Sequence, residues 1–76
     1  MGNKFHRMEP AREYQIRLYR DDGSLSMVML FVASRDSIAE HEAERMLNGE
    51  LTSAHIWNGD KLVRTLHSVN GRPVAR

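Results

Sequence analysis

The chain has no cysteine, so neither a disulfide framework nor a thiolate metal site can supplement its core, and no thiol nucleophile is present. Its longest apolar run, Met27 to Ala33, is far too short to span a bilayer, and the polar start Met1-Gly2-Asn3-Lys4 is not a secretory signal. A cytoplasmic location is expected. Proline is scarce, with 2 residues, and the catalytic signatures G-x-S-x-G, P-loop and G-x-G-x-x-G do not occur. Asp21-Asp22-Gly23 is not a calcium loop, because the spaced acidic ligands and closing Glu are missing. Without these signatures, and with too few residues for an evident concave pocket, the sequence points away from an enzyme and calls for no cofactor.

What is present is an ordinary globular composition, 41% hydrophobic and 28% charged, in 76 residues. A chain this short buries only about 60% of its unfolded surface, so its core must be thin and association is one way to supplement it. The net charge of +1 is unevenly placed. Residues 14–66 carry six Lys/Arg against eight Asp/Glu, a sum of −2, while the two ends sum to +3 through Lys4, Arg7, Arg12, Arg72 and Arg76 against Glu9 and Glu13. The ends read as solvated termini.

Tyr14 to Tyr19 alternates in the period of a strand, and Asp21-Asp22-Gly23 supplies a three-residue hairpin loop with Gly23 suited to positive φ. A second strand follows from Leu25 to Ala33. With Tyr19 opposite Leu25, Leu18 faces Ser26 and Ile16 faces Val28, which puts Tyr14, Ile16, Leu18, Val28, Leu30 and Val32 on one side. The other side then holds Arg17, Tyr19, Leu25, Met27, Met29 and Phe31.

After Ala33 the period changes to that of a helix, with Ser34 as a cap, Asp36 and Ser37 as alternative caps, and an Ala33–Ile38 staple. Ile38, Ala39, Ala43, Met46 and Leu47 share its apolar side, and Gly49 is placed to close it in the left-handed conformation. Thr52 to Trp57 and Lys61 to Leu66 flank Asn58-Gly59-Asp60 as a second hairpin. A four-residue loop pairing Ile56 with Val63 and Trp57 with Leu62 gives the better apolar matches. It sends Ala54, Ile56, Val63 and Thr65 to one face, and His55, Trp57, Leu62 and Arg64 to the other.

These elements describe an α+β domain of ββαββ order over residues 14–66: a four-stranded, mainly antiparallel sheet with one helix on one face. Residues 1–13 and 67–76 are expected to be flexible tails. Strand order stays open between a parallel pairing of strands two and three and hairpins joined through other edges. One helix covers one face, and an antiparallel sheet with a wet second face needs that face to be polar. The uncovered face, by this register, carries Arg17, Tyr19, Leu25, Met27, Met29, Phe31, Trp57, Leu62 and Arg64, residue types enriched at protein interfaces.

The leading expectation is therefore a non-enzymatic interaction or assembly module that homodimerises through this face, with an unidentified protein partner as a further option. In a different register the same residues would form a second core layer. A rival reading lays Tyr19, Phe31 and Trp57 out as a base-stacking platform between Arg17 and Arg64 for single-stranded nucleic acid, helped by the basic ends, but the negative sum of the domain argues against it.

His6, His41, His55 and His67 lack metal-ligand spacing; His41 reads as a solvated helix residue and His55 as a sheet residue packed beside Trp57. Glu42, beside the apolar stripe, is either a functional acid or, more simply, a local partner of Arg45. The succession of Tyr14-Gln15-Ile16-Arg17-Leu18-Tyr19, Asp21-Asp22-Gly23, the Ile38-Ala39-Glu40 helix, Ile56-Trp57-Asn58-Gly59 and Leu62-Val63 resembles small uncharacterised bacterial ββαββ proteins. The resemblance covers roughly residues 14–66. It implies the fold and a bacterial cytoplasm, and assigns no residue a role.

Overall fold

The computed structural model describes residues 10–69 and 72–75. The elements are β1 (Arg12–Arg20), β2 (Leu25–Ala33), α1 (Asp36–Met46), β3 (Leu51–Asn58), β4 (Lys61–Val69) and β5 (Arg72–Ala75). The ββαββ order holds. All neighbouring strands are antiparallel, in the order β2-β1-β3-β4-β5, so the two hairpins are joined through β1 and β3. The sheet also runs beyond the expected boundary at Leu66, since β4 continues to Val69 and β5 pairs with it. At the other end Arg12 and Glu13 already belong to β1, while residues 1–9 of the expected tail lie outside the described residues.

The central strand β1 supplies the core because its alternation is strict: Tyr14, Ile16 and Leu18 are fully buried, and Gln15, Arg17 and Tyr19 on its other side are half-buried. Ala54 and Ile56 of β3 and Leu66 of β4 join them beneath α1. The helix contributes Ala39 and Ala43, its buried residues, and Leu47 follows at its C-terminal end. Ile38, expected on that side, is instead exposed at the rim.

Helix ends differ from expectation at both termini. Arg35 occupies the N-cap position with no side-chain cap, so neither Ser34 nor Ser37 acts as one. Asp36 turns instead to the sheet, where Tyr14 donates its phenolic proton to Oδ1 at 2.6 Å and Arg12 approaches the same oxygen at 3.5 Å. Gly49 does not take positive φ; the chain leaves the helix through an extended Leu47. The turn is then held by Asn48, whose Oδ1 accepts from the backbone N–H of Glu50 and of Leu51, both at 2.7 Å.

The first loop forms as expected. Gly23 has φ +87°, its N–H donates to the Arg20 carbonyl, and the Arg20 N–H donates to the Ser24 carbonyl, both at 2.9 Å. Tyr19 then pairs with Leu25, but the next pair is Leu18 with Met27, because Ser26 is an extra residue in a β-bulge. That single residue reverses every face of β2. Ile16 stands opposite Met29 and Tyr14 opposite Phe31, so Met27, Met29 and Phe31 lie on the helix side and Val28, Leu30 and Val32 on the uncovered side.

The second hairpin behaves in the same way. Trp57 pairs with Leu62 as expected, and Asn58 pairs with Lys61 around Gly59-Asp60. A bulge at Val63 then sets Ile56 opposite Arg64 instead of Val63. Arg64 therefore moves to the helix side, where its Nε lies 3.5 Å from Glu40 of α1, and Thr65 moves to the uncovered side opposite His55.

Candidate functional site

On the uncovered side, the three inner strands present a polar and amphipathic surface. Gln15, Arg17 and Tyr19 of β1 stand beside Ser53, His55 and Trp57 of β3, with Thr65 and His67 of β4 beyond. These side chains contact one another. The Arg17 guanidinium lies 5.3 Å from the Trp57 ring centroid, a cation–π distance, and its Nε donates to Gln15 Oε1. The rings of Tyr19 and His55 are 4.7 Å apart, and His55 stands on the same side of β3 as Trp57, two residues away. Ser53 Oγ and His67 Nδ1 are 3.5 Å apart. Trp57 Nε1 is buried without an acceptor among the described residues.

The edge strand β2 is different. Leu25, Met27, Val28, Leu30 and Val32 are five of the seven large apolar residues exposed among the described residues; the other two are Ile38 and Leu62. Leu30 and Val32 are the most open, at 63% and 61%. The exposed residues lie on both sides of β2, since Met27 is on the helix side and Val28, Leu30 and Val32 on the other. An exposed apolar group of this kind marks an interaction site more often than isolated surface hydrophobics do.

Of the nine residues expected to share one face, Arg17, Tyr19 and Trp57 come together there, and Leu62, cross-strand from Trp57, is exposed. Leu25 is exposed next to the first bulge. Met27, Met29 and Phe31 are on the opposite side, with Met29 and Phe31 packed against the core, and Arg64 is turned to Glu40. Val28, Leu30 and Val32 were missed by the sequence reading. Their signal was the same alternation read one residue out of step.

No protein family matches the chain, and no curated protein or solved structure is similar to it.

Other candidates offer less. Among the described residues no three His, Cys, Asp or Glu side chains come together to hold a metal. His41 is exposed, with Nδ1 3.8 Å from Glu44, and Glu42 makes the local pair with Arg45 at 3.0 Å. An open cleft of about 370 Å³ lies at the loop end of the sheet, lined by Arg20, Asp21, Asp22, Gly49 and Glu50. Its acids are solvent-exposed. Asp22 is held below the ordinary carboxylate range by the Ser24 hydroxyl and then the Ser24 N–H, at 2.6 and 2.9 Å, which is a loop-closing role. Among the described residues no helix is long and apolar enough to cross a membrane.

Proposed function

We propose that the protein is a small non-enzymatic assembly module, located in the cytoplasm, whose partner is a second copy of itself. The observation that carries this reading is the concentration of exposed apolar side chains on β2, flanked by the Arg17–Trp57 and Tyr19–His55 pairs. Its core supports the same reading: among the described residues four large side chains, Tyr14, Ile16, Leu18 and Ile56, are fully buried. Burial of further apolar area by association adds about 25 cal/mol per Å². Light scattering over a concentration series should give the mass of two chains. A single-chain mass at millimolar concentration would overturn the proposal.

The nucleic-acid alternative is weakened by the observed register. Its platform keeps Tyr19, Trp57 and Arg17 but loses Phe31 and Arg64 to the helix side, and the Trp57 ring is already stacked under Arg17. Labelled single-stranded RNA at low salt should leave Trp57 fluorescence unchanged.

A further inference from the structure

We infer that self-association, accepting the reading above, runs through the edge of the sheet: β2 pairs antiparallel with β2 of a second copy about a two-fold axis at Met29. Two five-stranded sheets then become one sheet of ten strands. The two edges of the monomer are treated differently. Strand β5 is four residues long and contains Arg72 and Pro73, a short edge with a charge and a residue that cannot donate to a further strand. Strand β2 is nine residues long, has no charge and no proline, and among the described residues pairs only with β1. It lacks the devices by which proteins prevent edge pairing, apart from the bulge at Ser26 near one end.

The occupant is a second β2 for three reasons. An axis at Met29 matches the whole strand to itself, setting Leu30 against Val28 of the partner and Met27 against Phe31 of the partner. These pairs keep like faces together, as the two-residue period requires. They would cover exposed apolar groups on both sides of the strand at once, which stacking of the uncovered faces would not do. The ends carry both signs: Asp21 and Asp22 precede β2 and Arg35 and Asp36 follow it, so the same axis brings Arg35 of each chain beside the acidic turn of the other and sets Asp36 opposite Asp22. Asp36, next to Arg35, is engaged by Tyr14 and Arg12. Pairing β2 with β5 of another copy would be head-to-tail, giving a ring or an open filament in place of a two-fold dimer.

Substitution on the two sides of β2 separates edge pairing from face stacking. Met27→Lys places a charge on the helix side of the edge strand, Leu30→Lys on the other side, and Leu62→Lys on the uncovered surface away from β2; all three positions are exposed. Sedimentation equilibrium on the full chain, with circular dichroism as the control for folding, reads the dimer Kd. Edge pairing requires at least a tenfold weakening for both Met27→Lys and Leu30→Lys and less than a threefold change for Leu62→Lys. A dimer weakened by Leu30→Lys and Leu62→Lys but not by Met27→Lys would overturn edge pairing and leave self-association standing. A monomeric wild-type chain would overturn both. Because the chain has no cysteine, Met29→Cys gives a background-free second reading: oxidation should produce a covalent dimer, and a product that remains monomeric while the unoxidised variant sediments as a dimer would overturn the register.

Discussion

Tyr14 and Asp36 join the sheet to the helix: the phenol of a fully buried β1 residue donates to a carboxylate in the first turn of α1, 22 positions away, at 2.6 Å. A residue that could have capped the helix backbone is used instead to fix the helix over the strand. Tyr14→Phe keeps the ring and removes only the hydroxyl. Asp36 is about half exposed, so the loss should be about 1–2 kcal/mol, below the upper range for bonds to charged groups. Urea denaturation checks it.

The same contact has a pH signature. Burial first, and then the bond to Asp36, raise the Tyr14 hydroxyl above the ordinary value of 10.0. The folded state therefore holds this proton more tightly than the unfolded state. Its stabilising contribution is complete below pH 10 and is lost as pH rises through the raised value. Wild-type stability should fall more steeply above pH 10 than that of Tyr14→Phe, as followed by denaturant titration at several alkaline pH values.

The register of the first hairpin can be tested with two adjacent residues. Phe31 packs against the core and Val32 is exposed. Phe31→Ser should cost about 2–3 kcal/mol, while Val32→Ser should change the stability of the monomer by less than about 0.5 kcal/mol. Thermal unfolding in dilute solution distinguishes this from the unbulged register, in which the two effects would be reversed.

Two glycines of the chain should respond in opposite ways. Gly23, at φ +87°, has open space around the position of a Cβ, so Gly23→Ala should cost about 1–2 kcal/mol from backbone strain alone, and D-alanine introduced by chemical synthesis should restore stability. Gly49 also has open space but no positive φ. Gly49→Ala should be neutral or stabilising by up to about 1 kcal/mol.

Much of the fold is legible in the chain because its signals are local. The alternation of Tyr14, Ile16 and Leu18, the turn at Gly23, the change of period after Ala33 and the Trp57–Leu62 pairing all appear in the structure. The two bulges do not announce themselves. Ser26 and Val63 are ordinary strand residues, and β2 is apolar on both sides of Ser26, so either register satisfies a helix above it. What decides is tertiary: in the bulged register the larger Met29 and Phe31 pack under the helix beside Ala33, and Arg64 reaches Glu40. One-residue slips of this kind changed the membership of the candidate site while leaving its strands in place. The fifth strand lies within the stretch 67–76 expected to be a tail, where Asn70, Gly71 and Pro73 interrupt any strand pattern, although Pro73 is acceptable on an edge. Helix closure by Asn48 was likewise masked by the more familiar role of the glycine beside it.

Amide hydrogen exchange along β2, followed as a function of protein concentration, tests the edge-paired dimer most directly. Roughly half of the β2 amides point away from β1 in an antiparallel strand. These should exchange at least tenfold more slowly at millimolar than at low micromolar concentration, while the Trp57–Leu62 hairpin amides stay constant. Exchange along Leu25–Ala33 that is independent of concentration would contradict it.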